Sequence, residues 1–157
     1  MLHAANPAEL AIVQHALVVR LATLSRNGRP SIIPIYFIVQ HGHIWIGTVD
    51  WTLAVHAVRA DPRVSLLFTW EQNPRLRQTV QVIGTATIRT DPASLRRYNV
   101  GVAMKYILTP GGLWSYLTHV HLWRRLHQYH LQSDQKGDAC IIDVTPKQVA
   151  VLEADNL

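Results

Sequence analysis

Asn27-Gly28 separates two runs, LVVRLATLS at 17–25 and PSIIPIYFIV at 30–39, that are rich in Val, Ile and Leu. Residues branched at Cβ sit better on a pleated strand than in a helix. Asn-Gly is the strongest short hairpin signal, because a type I′ turn needs positive φ at both central positions. The chain is therefore expected to fold back here through a type I′ turn, as an antiparallel pair. Pro34 interrupts the returning run. It has no N–H to give to a ladder, so it marks a sheet edge, a bulge or a break facing a ligand.

Strands and tight turns continue along the chain. QHGH at 40–43 is the next turn, and HIWIGT at 43–48 is the third strand. RVSLLFTW at 63–70 is the fourth, and QTVQVIGTATIRT at 78–90 is a long fifth. ACIIDVTPKQVAVLEA at 139–154 supplies one or two final strands around Thr145-Pro146. Helices are expected at four places besides these. Asn6-Pro7 caps one that runs to about residue 16. Residues 52–60 form another, ended by Asp61-Pro62, since the residue before proline avoids the α region. Asp91-Pro92 opens a third over 92–108, which TPGG breaks before a further helix at 113–131. The expected fold is mainly β: a single domain over residues 1–157, with six or seven antiparallel strands in a barrel carrying peripheral helices.

With 48% hydrophobic and 16% charged residues, the 157-residue chain can build one real core. The net charge of +5 suits an anionic ligand. The cations are scattered, with Arg96-Arg97 and Arg124-Arg125 the densest groups, so nucleic-acid binding is not expected. Cys140 is the only cysteine, which rules out a disulfide within the chain and suits a reducing, cytoplasmic setting. Its run, DACIIDV, reads as a buried strand. The N-terminus MLHAANPAEL lacks the basic and apolar regions of a signal peptide. No apolar run reaches the ~18 residues of a membrane span.

Few residues point to catalysis. His119, His121, His127 and His130 share one expected helix, but there is no His-Glu-x-x-His pattern and no metal site is expected. A Gly-x-Ser-x-Gly elbow and the glycine-rich phosphate loops are absent. Asp50, Asp61, Asp91, Glu71 and Asp143 read as turn and cap residues, so no catalytic acid or base is assigned. GTVDWTLAVHAVRADP at 47–62 is more informative. It reads as a strand end, a turn with hydroxyls and a helix start, and Thr48 and Thr52 there suit a phosphate. Trp51 sits at that turn, where it can meet a planar ligand or a second subunit.

The order LATLSRNGRPSIIPIYFIV, HIWIGT, RADPRVSLLFTW, QVIGTATI resembles the pyridoxamine 5′-phosphate oxidase-like family of FMN-binding split β-barrels, over about residues 17–100. The resemblance implies a homodimer with cofactor sites at the interface and a flavin-dependent oxidoreductase acting on a small molecule. By the same resemblance, Ile33, Pro34, Ile35 and Tyr36 run along the flavin ring, and Gly47 and Thr48 face the ribityl chain and phosphate. Thr52 takes the place of the phosphate-binding Ser or Thr, and Thr79 or Gln81 reaches the cofactor from one side. Tyr36 and Trp51 flank the ring or the substrate.

Leu53 and Ala54 stand where the family usually has Arg-Lys. Each charge-assisted hydrogen bond lost there is worth roughly 1.5–3 kcal/mol. His56, Arg59, Arg75, Arg77 and Lys105 are candidate replacements. The C-terminal Trp and Arg-His motif of pyridoxamine-phosphate oxidases is absent, so vitamin B6 oxidation is not expected. Relatives that use the deazaflavin coenzyme or haem, and a non-catalytic binding protein on the same fold, are the alternative readings.

Overall fold

The computed structural model describes residues 6–70, 78–107 and 137–152. Helix α1 spans Pro7–His15. Asn6 begins it with a capping box: its side chain accepts the Ala8 N–H at 2.8 Å, and the Glu9 carboxylate accepts the Asn6 N–H at 2.8 Å. The strands are β1 (Val19–Leu24), β2 (Pro30–Ile35), β3 (Ile38–Gln40), β4 (His43–Val49), β5 (Arg63–Thr69), β6 (Thr79–Arg89) and β7 (Ala139–Leu152). Helix α2 (Leu53–Ala60) lies between β4 and β5. Helix α3 (Pro92–Val102) follows β6 and widens into a π-helical turn at Ala103–Ile107. No described helix is long and apolar enough to cross a membrane. The helix expected over 113–131, with its four histidines, lies outside the described residues, as do Arg75 and Arg77.

The sheet order is β2-β1-β5-β6-β7-β4-β3, and every pairing is antiparallel. Its two outermost strands, β2 and β3, are consecutive in the chain and joined only by Tyr36-Phe37. The expected single strand over 30–39 is thus a bent one. Half of it pairs at each end of the sheet, which closes the sheet into the split barrel. Pro34 lies on this edge, opposite Arg20. Its missing N–H costs nothing there, because no described strand pairs with the far side of β2. The final run is one strand, β7, which pairs with both β6 and β4. Its register shifts opposite Ile83/Gly84, because Gln148 pairs with Ile83 and Pro146 with Gly84. The bulge accommodates Pro146 where a regular ladder would want a donor.

The β1–β2 turn departs from the type I′ expectation. The Gly28 N–H donates to the Ser25 carbonyl at 2.8 Å and the Ser25 N–H to the Arg29 carbonyl at 2.9 Å. Gly28 alone in this turn has positive φ, 73°. The loop is therefore three residues long. A two-residue Asn-Gly loop would shift β2 by one position and set Leu21 against Pro34. The observed register pairs Leu21 with Ile33 and Val19 with Ile35, so four apolar side chains face the core together. Core burial outweighs local turn preference. The true two-residue turn is at His41-Gly42, where φ is 50° and 79° and Gln40 pairs with His43.

Val19, Leu21, Ile44, Ile46, Val64, Leu66, Phe68, Val80, Val82 and Ile142 fill the barrel, closed by Ile12 and Val13 of α1 and Val55 and Val58 of α2. A smaller cluster of Ile38, Trp45 and Ile141 lies under Leu95, Tyr98 and Val102 of α3. Cys140 is buried, as expected, and burial pushes its thiol pKa up.

The bend at Tyr36-Phe37 interrupts the ladder and would strand its backbone groups. The Tyr106 hydroxyl meets them. It accepts the Phe37 N–H at 3.2 Å, and the Phe37 and Leu17 carbonyl oxygens lie at 2.8 and 2.9 Å, within reach of its single proton. Burial pushes the Tyr106 pKa up to about 12. The Lys105 ammonium sits 3.4 Å above the Phe37 ring centroid. The ring face attracts the cation. Withdrawal from water outweighs that attraction and lowers the Lys105 pKa to about 8.

Two predictions follow from this bend. Tyr106→Phe strands the Phe37 N–H and should lower unfolding stability by about 1–3 kcal/mol, read as a fall in urea midpoint at unchanged slope. Lys105 is protonated in both states below pH 8. Between about 8 and the ordinary 10.5, only the unfolded chain holds the proton, so this group makes stability rise with pH. Lys105→Met should therefore melt above the wild-type chain near neutral pH, and calorimetry should show the gap closing by about pH 10.5. A gap that is constant with pH contradicts this.

Candidate functional site

The β4–α2 corner gathers Thr48, Trp51 and Thr52. Thr52 is the N-cap of α2 by backbone geometry, with φ −69° and ψ 150°, yet no side chain caps the helix. Its hydroxyl donates instead to the Val49 carbonyl at 3.0 Å and stands 3.2 Å from the Thr48 hydroxyl. Since the Thr52 proton goes to Val49, Thr48 is the donor in that second contact. The first intrahelical bond is from the His56 N–H to the Thr52 carbonyl at 3.1 Å. The N–H groups of Leu53, Ala54 and Val55 therefore lie in the first turn without a helical partner. They carry the positive end of the helix dipole, which suits an anion, and the two hydroxyls beside them would join in by turning their protons from Val49 and Thr52 to it.

Leu53 and Ala54 point different ways. Leu53 is 83% exposed, whereas Ala54 is 6% exposed and belongs to the core. A charged side chain at 54 would enter the core cluster, so this position offers a ligand only its backbone N–H. Of the candidate replacement cations, His56 and Arg59 are exposed on α2 and Lys105 is at the Tyr36-Phe37 bend.

On β2, Ile33 and Ile35 pack against the core while Pro34 faces out. Tyr36 is 60% exposed, and Tyr106 meets its ring edge-on with centroids 5.0 Å apart. Val18, Pro34, Ile35 and Tyr36 line a hollow of about 330 Å³. Trp51 is also largely exposed. The Gly47 position is filled from α3: a Cβ there would overlap the Tyr98 ring. Gly47 is thus needed for the close approach of Tyr98, whose pKa burial raises. Thr79 and Gln81 lie on β6 with their neighbours Val80 and Val82 turned to the core. The Gln81 amide donates to the Ser65 hydroxyl at 3.0 Å. Strands β1 and β5 separate Thr79 and Gln81 from β2 within one chain.

Several residues gain roles that their local sequence does not signal. Asp143 is not a turn or cap residue. It is buried in mid-strand β7, accepts from Arg89 Nε and stands 2.8 Å from His43 Nδ1. Arg89 also lies over the Trp45 ring, 5.8 Å from its centroid. The pairing needs β4, β6 and β7 in register, which no short motif can announce. Tyr98 and Tyr106 are likewise recognisable only once α3 is docked. A groove of about 720 Å³ between the β1–β2 turn and α2 draws in Arg26 and Arg29, neither of which stands out in the sequence. Among the described residues, no three His, Cys, Asp or Glu side chains are placed to share a metal ion.

A family model described as pyridoxamine 5′-phosphate oxidase matches residues 5–153. No curated protein matches the chain in sequence. Among solved structures, a conserved hypothetical protein from Mycobacterium tuberculosis superposes with a TM-score of 0.69 at 22% identity, over 95% of this chain and 85% of that one. An F420 reductase gives 0.65 at 18% identity, over 93% of this chain and 98% of that one. A heme binding protein from Mycobacterium smegmatis gives 0.59 at 17% identity, over 92% of this chain and 52% of that one. At these identities the structures share the fold alone. The family match runs through nearly every described element, from the capped α1 to the end of β7, and the chain belongs to the pyridoxamine 5′-phosphate oxidase family.

Proposed function

We propose that the chain is a homodimeric oxidoreductase that binds FMN non-covalently and acts on a small molecule. The observation that carries this reading is the uncapped start of α2, where first-turn N–H groups lie beside the Thr48 and Thr52 hydroxyls. These groups suit the ligand's phosphate. The exposed Tyr36 and Trp51 suit a flat ring. FMN would supply the electron transfer. The protein's part is to orient the ring against β2, with Tyr106 steadying Tyr36, and to keep water from the Pro34–Tyr36 hollow.

The dimer reading rests on the outer face of β2, β1, β5 and β6. Ile32 is 63% exposed and Ile83 is 41% exposed on that face, with Gln81 and Thr79 beside Ile83. A second subunit covering it would bring its own Thr79 and Gln81 toward the β2 hollow, from which β1 and β5 separate them within one chain. The neutral Leu53 and core-facing Ala54 favour a second reading, the deazaflavin coenzyme, as in the F420 reductase that shares this fold.

Titration of the purified dimer with FMN should quench flavin fluorescence. Thr52→Val should weaken that binding about tenfold, the worth of one hydrogen bond to a charged group. If FMN fails to bind while the deazaflavin coenzyme binds and is reduced, the second reading replaces the first. A Soret band in protein isolated from cells would point instead to haem. Loaded protein that never bleaches its flavin, with reduced nicotinamide or any other donor, would indicate a binding protein without turnover.

A further inference from the structure

The groove between the β1–β2 turn and the side of α2 has no part in the function proposed above. It is lined by Ser25, Arg26, Arg29, Ser31, His56 and Arg59 on its polar side, with Leu53 and Ala57 among its apolar residues. No carboxylate is among its lining residues, although the chain carries ten Asp and Glu. Among the described residues, no carboxylate lies within 4.0 Å of the Arg26, Arg29 or Arg59 guanidinium. Arg63, at the far end of α2, shows the contrast, since Asp61 engages it at 2.6 Å.

We propose that this groove is an anion subsite for a small molecule carrying at least two adjacent negative groups, such as a diphosphate or paired carboxylates. Two elements present the basic side chains. His56 and Arg59 are three residues apart on α2 and so share a face. Arg26 is the first residue of the tight β1–β2 turn and Arg29 follows it, and the turn is braced by the Arg29 N–H donating to the Ser25 hydroxyl at 3.0 Å. Three guanidinium groups around one hollow repel one another until an anion enters, and each can make paired hydrogen bonds to phosphate or carboxylate oxygens. The volume, about 720 Å³, exceeds what one phosphate fills and falls within the ~300–1,000 Å³ of ligand pockets.

Leu53 connects this groove to the corner. It is the first residue of α2 and also lines the groove, so one ligand can touch the helix start and the cations. The second anionic group would thus belong to the same ligand whose phosphate sits at Thr48 and Thr52. That link rests on the proposed cofactor corner, whereas anion capture by the groove does not.

The test uses the whole protein without flavin, titrated calorimetrically with inorganic phosphate, pyrophosphate and citrate. Pyrophosphate and citrate should bind at least about tenfold more tightly than phosphate. Arg29→Ala and Arg59→Ala should each weaken pyrophosphate about tenfold, while Arg96→Ala, an equal loss of charge on α3, should change nothing. All three arginines are exposed, so these variants leave the core intact. Thr52→Val should leave pyrophosphate binding unchanged, which separates the groove from the corner. If FMN fails to bind while these results hold, the cofactor reading falls and the groove stands. Pyrophosphate binding no tighter than phosphate, or insensitive to Arg29→Ala and Arg59→Ala, overturns the proposal. So does a mixed-sequence oligonucleotide that binds more tightly than pyrophosphate and is lost in the same variants.

Discussion

The barrel depends on a bend that a sheet alone cannot satisfy. One strand must pair at both ends of the same sheet, so its ladder has to break at Tyr36-Phe37. A break of this kind strands buried backbone donors and acceptors, each costly if left unmet. The Tyr106 hydroxyl resolves this from outside the sheet, within the π turn that ends the helix. Closure of the β structure is therefore completed by a helix-borne side chain. The same bend leaves Tyr36 exposed beside the hollow at Pro34, so structural closure and a candidate ring-binding surface arise from one event.

The start of α2 shows how backbone can stand in for charge. Ala54 is committed to the core, so the helix cannot offer a cation there without losing packing. What remains is the dipole and the first-turn N–H groups, left uncapped because the Thr52 hydroxyl is turned toward Val49 and Thr48 and away from them. The cationic side chain appears nearly two turns further along, at Arg59, with His56 between it and the helix start. Positive charge at this end of the molecule is displaced along the helix rather than removed.

Much of the fold was legible from β-branched runs, turn residues and proline positions. Strand locations, three helix starts and the family resemblance all come from these local signals. What local signals miss has one cause. The Asn27-Gly28 turn departs from its local preference because register is set by which residues face the core, a property of two strands together. The bend in 30–39 is invisible locally, because Pro34 signals an interruption but not that the two halves pair at opposite sheet ends. Asp143 looked like a turn residue because its partners, Arg89 and His43, lie 54 and 100 positions away in sequence. In the candidate site, Thr48 and Thr52 could be read because they are neighbours at a helix start. The Arg26 and Arg29 side of the groove could not, since it exists only once the first hairpin lies against α2.

The position of β7 has a consequence for how the chain is made. It is the last described strand, yet it lies between β6 and β4, and Ala139 pairs with Val49 across 90 residues of sequence. Until it arrives, the nascent chain holds two separate sheets, β2-β1-β5-β6 and β4-β3, each ending in an unpaired edge. Open edges of apolar strands invite pairing with other chains. Between the synthesis of β6 and that of β7, every other described strand exists and the barrel cannot close, so these edges stay open to other chains until β7 emerges.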